Sequence, residues 1–489
     1  MKNRKKAVVI GAGLGGMATA LRLATKGWLV TVCERGATPG GKMNRWSSHG
    51  YTFDTGPSLI TMPDVFEELY QSLGSDMREH VELMQLTQQV NYTFDDGTKC
   101  SQSASLPDWL DTVREFEGST DGFMAYMELG ARLHEVSKST FFARSPMEPP
   151  GKETMRVLSR MPLRRGWGNY HKEMCHFIKS PHLRRIYDRY MTYVGSSPYH
   201  SPGTLCVVPY VEYAQGGWHI RGGLYGIIQS LEALMEKHGV ELRLNAEVDQ
   251  IAHTGKKVEG VRLASGERLD ADAVIMNGDV SMTGPMLGIE QHRACPPEER
   301  SLSGLVFLFA LKNRHPDWSH HQVCFSRDYD HEFRQLFDER CFPDDPTVYI
   351  NMPSITDRSM TPGDGEVMFV MANAPANEEI SWDAANTEVA RQRVLNRLKS
   401  SGFPDFAGEI VASDVWTPER MAKTYAMPGG AIYGRNSHGK KNAFMRPLNK
   451  DMGIKGLYYV GGSTHPGGGT PTVLMSARIT ANLVERYER

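Results

Sequence analysis

The first thirty-five residues change the spacing of their hydrophobic positions twice. An uninterrupted apolar run at 7–10 predicts a buried strand of a parallel sheet. Apolar residues then recur at helical spacing until Gly27, and a second apolar run at 28–33 ends at Glu34. The positions at helical spacing are Met17, Ala20, Leu21 and Ala24. This pattern predicts a strand, a turn, a helix and a second strand.

Four later stretches extend the α/β pattern. Residues 216–251 predict a turn, an amphipathic helix and a strand, and residues 257–279 predict a hairpin and a further strand. The run LVFLFAL at 305–311 has the length of a buried strand. LYYV at 457–460 predicts a strand that leads through a glycine loop into a helix beginning near Thr472.

Three glycines separate the first predicted strand from the first predicted helix. Gly11, Gly13 and Gly16 form a GxGxxG turn, in which a pyrophosphate can approach the backbone and meet the N–H groups of the helix start. Glu34, at the end of the second strand, can accept both ribose hydroxyls of an adenosine. A glycine-rich turn without a ligand is the alternative, but strand, helix, strand and terminal acid in register predict a bound dinucleotide.

Composition and charge narrow the function classes. The chain has 489 residues, of which 40% are hydrophobic and 23% charged, and a formal net charge of -2. These values are typical of a soluble globular protein and give no reason to expect nucleic acid as the main partner. Seven scattered cysteines without a CxxC pair predict reduced thiols and a cytoplasmic location. No run approaches the roughly 18 apolar residues of a membrane span, and no export signal is expected.

The residues after Glu34 resemble a particular cofactor pattern. A second glycine pair, Gly40 and Gly41, precedes Lys42, and GYTFDTGPS follows at 50–58. This resembles the FAD-binding pattern of the glutathione-reductase and amine-oxidase type of flavoprotein. The resemblance implies that Lys42 is a counter-charge for ribityl and pyrophosphate, although a solvated surface lysine is an equal alternative. The further residues that the resemblance assigns to FAD are Arg35, Gly41, Gly56, Pro57, Ser58, Val248, Gly462, Ser463, Thr470, Pro471, Thr472 and Val473.

The resemblance also implies a role for each part of this set. Segment 56–58 is expected near the flavin ring, and Val248 against the adenine. The helix start at 470–473 is expected to stabilise negative charge that develops at flavin N1 and the C2 carbonyl during reduction. Related flavoproteins often carry Gly-Asp after the last strand, but this chain has Gly462 and Ser463 there, so the ribityl contact is expected from backbone or from the Ser463 hydroxyl.

The implied fold class is α/β, with a Rossmann-like FAD-binding domain of the glutathione-reductase and amine-oxidase type and an inserted mixed α+β substrate domain. The segments expected to form the FAD-binding domain are 1–80, 215–290 and 405–489. The segments expected to form the substrate and membrane-facing domain are 81–214 and 291–404.

The sequence as a whole resembles the bacterial and fungal phytoene desaturase family of carotenoid-forming flavoenzymes. The stretches that carry the resemblance are VVIGAGLGGMATALRL, GGKMNRW, YVEYAQGGWHIRGGLYGI, DPTVYINMPSITDRSMTPGDGEVMFVMANAP at 345–375 and GLYYVGGSTHPGGGTPTVLMSARITANLV. The resemblance implies an enzyme that oxidises a long apolar isoprenoid: hydride passes from an allylic CH2 to flavin N5, a proton is lost, and the electrons go to oxygen or a quinone. The oligomeric state is not predicted.

Three alternatives stay open beside a phytoene-type substrate. The first is a later-step relative that desaturates hydroxylated or thirty-carbon carotenoids or oxidises terminal methyl groups, because GGGTPTVLMSA is at least as similar to those relatives. The second is a non-catalytic prenyl-binding protein of the GDP-dissociation-inhibitor type, which the intact GxGxxG turn and Glu34 disfavour. The third is an amine oxidase, which the stretch 345–375 disfavours.

Two titratable residues near the glycine-rich segments have competing interpretations. His465 is the only titratable side chain in the loop at 461–469, and it could accept the proton that the substrate loses or orient the substrate. Alternatively, it braces the loop by hydrogen bonding. Asp54 stands beside a Thr-Gly-Pro turn and is expected to be a cap or turn residue.

Histidine spacing predicts no metal site. His171 and His176 are off a common helix face, and His320 and His321 are expected on opposite sides of a strand, so neither pair has ligand spacing.

One stretch suggests contact with a membrane surface. Residues 152–189 hold ten Lys and Arg against three Asp and Glu, with apolar and aromatic residues between them. That mixture suits a surface that rests on anionic lipid, from which a water-insoluble substrate must be drawn. A solvated basic helix face is the alternative. Peripheral membrane attachment is therefore expected.

Overall fold

A computed structural model describes residues 4–149, 151–159, 163–166 and 168–488. Positions 160–162 and 167 of the basic stretch lie outside the described residues.

The strands, in chain order, are β1 (Lys6–Ile10), β2 (Leu29–Cys33), β3 (Arg45–Ser48), β4 (Tyr51–Asp54), β5 (Leu83–Gln85), β6 (Gln88–Thr93), β7 (Lys99–Ser103), β8 (Trp218–Ile220), β9 (Glu241–Arg243), β10 (Val248–Thr254), β11 (Lys257–Leu263), β12 (Arg268–Asp270), β13 (Ala273–Met276), β14 (Ser303–Leu311), β15 (His321–Cys324), β16 (Val348–Asn351), β17 (Glu366–Ala374), β18 (Ile410–Trp416) and β19 (Leu457–Tyr459).

The α-helices, in chain order, are α1 (Leu14–Ala24), α2 (Pro63–Ser72), α3 (Leu106–Glu117), α4 (Asp121–Ser139), α5 (Lys152–Leu158), α6 (Leu163–Gly166), α7 (Tyr170–Phe177), α8 (Pro181–Arg189), α9 (Val207–Gln215), α10 (Tyr225–Lys237), α11 (Thr283–Leu287), α12 (Tyr329–Phe337), α13 (Ala384–Ser400), α14 (Pro418–Tyr425), α15 (Gly439–Phe444) and α16 (Thr470–Glu488).

A five-stranded parallel sheet, in the order β19-β13-β1-β2-β9, supports the glycine turn. Its strands come from stretches that lie far apart in the sequence. Helices α1, α10 and α16 contribute to one buried apolar cluster on this sheet, in which Met17, Ala20 and Leu21 of α1 are inaccessible to solvent. The helical spacing of those three residues therefore marks the face that packs in the core.

A seven-stranded mixed sheet, in the order β18-β14-β17-β16-β15-β6-β7, forms the second layer. Its pairs are antiparallel apart from the parallel pair of β15 and β6. Every residue of β14 is buried, as the apolar run at 305–311 predicts. Helices α3, α4, α7, α8 and α9 pack beside β6 and β7 around an aromatic core that contains Trp109, Tyr126 and Tyr190.

This architecture confirms the α/β class, with a Rossmann-like parallel sheet and a second, mixed part. The boundaries given above for the two domains stay a prediction. Asp54 caps α10, since its carboxylate accepts hydrogen bonds from the backbone N–H groups of Leu224 and Tyr225 at 2.8 and 3.1 Å. None of the helices in the described ranges is both long and apolar enough to cross a bilayer.

One expectation about histidines is wrong. His320 and His321 do not point to opposite faces of a strand: their ring centroids lie 4.5 Å apart and both rings are buried. The reason is that β15 begins only at His321, so His320 precedes the regular strand and does not follow its alternation.

Candidate active site

The first glycine turn leaves no room for side chains. Gly11 has a φ of 97°, and a Cβ atom on Gly16 would lie 2.3 Å from the Gly11 carbonyl oxygen. Gly13 precedes α1 without a side-chain cap, and the first turn of the helix carries no acidic residue. The N–H groups at this helix start are therefore suited to an anion such as a pyrophosphate.

Glu34 directly follows β2, beside this turn. One oxygen of its carboxylate accepts a hydrogen bond from the backbone N–H of Ala12, and the other from that of Gly36, each at 2.8 Å. These bonds fix the orientation of the carboxylate. Each oxygen keeps a further lone pair, so the group can still accept ribose hydroxyls.

Asn277 closes the glycine turn from the other side, and sequence reasoning missed it. Its side-chain Nδ2 donates to the Gly11 carbonyl oxygen at 3.0 Å. A Cβ atom on Gly15 would lie 2.8 Å from the Asn277 Oδ1 atom, and one on Gly16 would lie 2.9 Å from Nδ2. The position immediately after β13 is the only signal, because any residue there meets the end of β1 across the parallel sheet.

The second glycine pair packs directly on the first turn. The Gly40 N–H donates to the Ala12 carbonyl oxygen at 2.8 Å, and a Cβ on Gly41 would lie 3.3 Å from the Cα of Gly13. The glycine pair therefore lies beside the start of α1, and Lys42 follows it directly in the chain. The predicted excursion after Glu34 thus lies against the GxGxxG turn.

Lys42 is a partly buried cation near the C-terminal glycine loop. Its ammonium donates to the Ile432 carbonyl oxygen at 2.5 Å, and a Cβ on Gly462 would come within 4.0 Å of Nζ. Burial lowers the pKa of Lys42, and the Asp279 carboxylate opposes part of that shift. Within the described ranges no carboxylate lies at ion-pair distance from Lys42, so the environment suits an added anion.

Arg446 is a second buried cation at this loop, and sequence reasoning missed it as well. Its guanidinium donates to the Ser437 hydroxyl at 3.0 Å, and a Cβ on Gly467 would lie 3.0 Å from its Nε atom. Burial lowers the pKa of Arg446 to about 10. Two cations beside the loop favour a cofactor that carries phosphates and accumulates negative charge on reduction.

The C-terminal loop packs against the segment that follows β13. The Ser463 hydroxyl accepts from the Val280 N–H at 3.0 Å, which leaves its own proton available to a ligand. The loop enters α16 at Thr470 and Pro471, and the first turn of that helix carries no acidic residue. The Thr472 hydroxyl donates to the carbonyl oxygens of Gly468 and Gly469, so it stabilises the helix start.

Val473 joins the two glycine-rich segments. A Cβ on Gly15 would lie 3.0 Å from its Cγ1 atom, so α16 and α1 touch at their N-terminal ends.

Tyr433, which the sequence did not single out, separates the loop from the second part of the molecule. Cβ atoms on Gly468 and Gly195 would lie 2.5 and 2.6 Å from its ring.

Two further predicted cofactor residues are Val248 and Arg35. Val248 is buried at the start of β10, in one apolar cluster with Val8 and Cys33. Arg35 is exposed and donates to the carbonyl oxygens of Lys423 and Thr424 at the end of α14. The contacts of Arg35 therefore connect the end of β2 to α14.

His465 is fully buried and contacts segment 141–144. Its Nε2 atom lies 3.1 Å from the Arg144 carbonyl oxygen, and its ring meets Phe141 edge to face at 4.5 Å. Burial lowers the pKa of His465 to about 4. These surroundings favour the bracing interpretation, and a catalytic role for His465 stays an untested prediction.

Segment 56–58 stands between the cofactor residues and the mixed sheet. A Cβ on Gly56 would lie 1.7 Å from the Lys42 carbonyl oxygen, so only glycine fits there. Pro57 and Ser58 are half-buried, and the Ser58 hydroxyl lies 2.6 Å from the Tyr349 hydroxyl of β16.

An apolar surface adjoins this junction. Tyr349, Met371 and Ile432 are partly exposed side chains on one apolar cluster of the mixed sheet. Met371 and Ile432 both lie within 4 Å of a Cβ position on Gly304, and the Ile432 carbonyl binds Lys42. The two glycine turns, Lys42 and the loop at 461–469 form a glycine-lined cradle that fits FAD. The surface of Tyr349, Met371 and Ile432 next to it fits a hydrocarbon.

Comparison with known proteins agrees with this arrangement. Residues 14–484 match the protein family described as flavin containing amine oxidoreductase.

Three curated relatives match nearly the whole chain. The 1-hydroxycarotenoid 3,4-desaturase of Flavobacterium sp. (strain P99-3) is 35% identical, over 98% of this chain and 99% of the relative. The zeta-carotene-forming phytoene desaturase of Myxococcus xanthus is 32% identical, over 97% and 93%. The 4,4'-diapolycopene oxygenase of Methylomonas sp is 30% identical, over 99% and 98%.

Solved structures support the fold alone. An oxidoreductase from Methanosarcina mazei superposes with a TM-score of 0.62 at 17% identity, over 98% of this chain and all of that one.

Proposed function

The chain belongs to the flavin containing amine oxidoreductase family and is an FAD-dependent oxidoreductase, and from this premise we propose that it desaturates a carotenoid. The observation that carries the proposal is the position of Ile432. Its carbonyl binds Lys42 of the cradle, and its side chain belongs to the apolar surface of the mixed sheet. A hydrocarbon has no polar handle, so recognition requires apolar contact beside the oxidising cofactor.

In this proposal, FAD supplies the two-electron acceptor, and the protein binds, orients and excludes water. The start of α16 and the Arg446 guanidinium favour the negative charge that accompanies reduction. The apolar side chains of Met371 and Ile432 hold the allylic carbons of the substrate and keep water away. A removed hydride equivalent leaves a cation that must lose a proton, and either oxygen or a quinone takes up the electrons.

The candidate substrates are a phytoene-type hydrocarbon, a hydroxylated carotenoid and a thirty-carbon carotenoid, with oxidation of a terminal methyl group as the alternative reaction. Relatives of comparable identity are named for each of these classes. The prenyl-binding protein without catalysis is not retained, because the family is one of flavin enzymes.

The proposal is tested with FAD-loaded protein and liposomes that carry one polyene each: phytoene, a 1-hydroxylated carotenoid or a thirty-carbon precursor. Products are identified by absorbance and mass. Longer conjugation in at least one product supports desaturation. Protein that holds FAD but oxidises none of the polyenes contradicts it, and a carbonyl product would reassign the reaction to terminal-methyl oxidation.

We also propose peripheral attachment to an anionic membrane through α5. Met155 and Leu158 expose 54% and 36% of their surface, and they lie on the same short helix as the exposed Lys152 and Arg156. The later part of the basic stretch is less available for contact with lipid, because Arg189 is buried. Exposed apolar side chains beside cations suit insertion at a headgroup boundary.

Co-sedimentation with anionic and neutral liposomes at low salt tests the attachment. The double variant Met155→Ser and Leu158→Ser is expected to lose most of the bound fraction. Met452→Ser is the matched control, because Met452 is 68% exposed but lies outside the helices. Equal binding of both variants, or no binding of the wild type, would contradict the proposal.

A further inference from the structure

Three side chains form a polar row at the edge of the apolar surface: Ser58, Tyr349 and His321. The Ser58 Oγ and Tyr349 Oη atoms are 2.6 Å apart, and Tyr349 Oη lies 2.8 Å from His321 Nδ1. Ser58 follows Gly56, which packs on Lys42, whereas Tyr349 and His321 belong to paired strands of the mixed sheet. The polar row therefore crosses from the cofactor cradle to the sheet.

The role of His321 Nδ1 in these hydrogen bonds follows from Asn351. Its amide Nδ2 lies 3.4 Å from the His320 carbonyl oxygen, which can only accept, and 3.1 Å from His321 Nδ1. With the amide oriented in this way, Nδ1 is an acceptor and Nε2 carries the proton of a neutral imidazole. Burial, together with nearby His219 and Arg189, lowers the pKa of His321 to about 3 and keeps that form.

A neutral His321 determines what the polar row offers to a ligand. His321 Nδ1 has one lone pair for Asn351 and Tyr349 to share, so the Tyr349 hydroxyl donates either to Nδ1 or to Ser58 Oγ. In both arrangements Ser58 Oγ keeps at least one lone pair for a ligand. Both residues are half-buried, unlike His321, which is 2% exposed. The polar row thus ends in a hydrogen-bond acceptor, Ser58 Oγ, at the partly exposed apolar surface.

A neighbouring polar cluster differs because it is closed. Both oxygens of the buried Glu212 carboxylate accept bonds within the protein: Tyr190 and Gln102 donate to one at 2.7 and 3.1 Å, and Tyr193 donates to the other at 3.0 Å. That cluster stabilises the fold and has little capacity left for a ligand. The open end at Ser58 and Tyr349 therefore requires a separate explanation.

We propose that Ser58 and Tyr349 bind a hydroxyl group of the substrate, so that the substrate class is a carotenoid with an alcohol close to the bond that is oxidised. The inference rests on the proposed function. A pure hydrocarbon would cover the Ser58 acceptor without pairing it, which is unfavourable. An alcohol donates to Ser58 Oγ and brings the carbons beside it to the cradle.

The numbering in the name of one relative shows that such geometry is chemically reasonable. A 1-hydroxycarotenoid 3,4-desaturase acts on a substrate whose hydroxyl is two carbon–carbon bonds from the nearer reacting carbon. A hydroxyl in that position must lie beside the oxidising group when the bond reacts. In this chain, Ser58 is the residue that joins the polar row to the cradle.

The test compares a 1-hydroxylated acyclic carotenoid with the same carotenoid lacking the hydroxyl, using FAD-loaded enzyme. The wild type is expected to prefer the alcohol in kcat/KM. Tyr349→Phe and Ser58→Ala are each expected to lower the preference for the alcohol, measured as the ratio of kcat/KM for the alcohol to kcat/KM for the hydrocarbon, roughly 10- to 100-fold. Tyr329→Phe is the matched control, because its buried hydroxyl has no partner in the described part of the chain.

A second readout does not depend on turnover. The affinity of reduced, anaerobic enzyme for both carotenoids is measured by the shift in their absorbance, and FAD content is measured for each variant. Tighter binding of the alcohol, lost in Tyr349→Phe but kept in Tyr329→Phe, supports the inference. Equal affinity for both carotenoids, or equal losses for both in Tyr349→Phe, overturns it. Absence of oxidation with selective binding of the alcohol overturns the proposed function alone.

Discussion

The two sides of the site make contact in different ways. On the cofactor side, backbone lies against backbone, and Gly16, Gly41 and Gly56 each stand where a single added carbon would meet a main-chain atom. On the substrate side, Met371, Ile432 and Tyr349 make contact through flexible or aromatic side chains. A main-chain contact cannot relax by changing rotamer, whereas a side-chain surface can repack around a different ligand. The cofactor is therefore held by a rigid surface, and substrate choice can change without altering it.

Gly56→Ala should have the largest effect. Its Cβ would lie 1.7 Å from the Lys42 carbonyl oxygen, so the backbone must move, at a cost of about 3 kcal/mol. We expect a lower Tm and protein purified without FAD absorbance.

Two further variants test whether the cofactor side tolerates substitution less well than the substrate side. Gly408→Ala should be neutral, because no described atom lies within 4 Å of its Cβ position and its φ is ordinary. Met371→Leu on the substrate side should cost less than about 1.5 kcal/mol and keep FAD. If Gly56→Ala were as stable as either of them, the distinction between the two sides would be lost.

His465→Gln should show an effect of intermediate size, because His465 links the cofactor loop to segment 141–144. The folded pKa is about 4 against an ordinary 6.5, so the neutral form stabilises the fold above pH 6.5 and that contribution is lost as pH falls towards 4. The pKa difference corresponds to about 3 kcal/mol. Tm measured from pH 7 to pH 4 should fall less steeply in the variant than in the wild type.

The same variant separates the two interpretations of His465. Turnover per bound FAD at neutral pH should equal that of the wild type if the residue only braces the loop. A large loss of turnover with full FAD occupancy would support a role in the reaction instead.

Glu34→Gln should give the smallest of the three effects. Removing the charge weakens hydrogen bonds to the adenosine ribose by about 1.5–3 kcal/mol, so FAD is expected to bind roughly tenfold to hundredfold more weakly. Titration of apoprotein by fluorescence measures this. Glu241→Gln is the control, because that exposed carboxylate pairs with Arg243 on the surface. An unchanged FAD affinity in Glu34→Gln would remove Glu34 from the site.

The sequence predicts the cofactor side better than the substrate side for a physical reason. The GxGxxG turn and Glu34 lie within one strand-helix-strand unit, so their spacing alone brings them together. Asn277 and Arg446 reach the same site only after distant strands and loops have packed. No spacing in the sequence records such a contact.

The substrate side depends throughout on contacts between residues that are distant in the sequence. Tyr349 and His321 meet because β15 and β16 pair, and Ser58 joins them from another sheet. The error about His320 and His321 has the same origin, since the first residue of β15 could not be read from composition. The sequence also predicted a more exposed basic stretch than the structure has. In the structure, Arg185 pairs with Asp95 and Arg189 is buried.

The contact between Val473 and Gly15 has a consequence for synthesis. More than four hundred residues separate the first glycine turn from this partner, and β19 lies at the edge of the same parallel sheet. On the ribosome, α1 must wait for α16 before its apolar face is covered and before the loop at 461–469 can enclose a flavin. Cofactor capture is therefore expected after translation, and cells short of flavin should accumulate a chain that is open to proteases and chaperones.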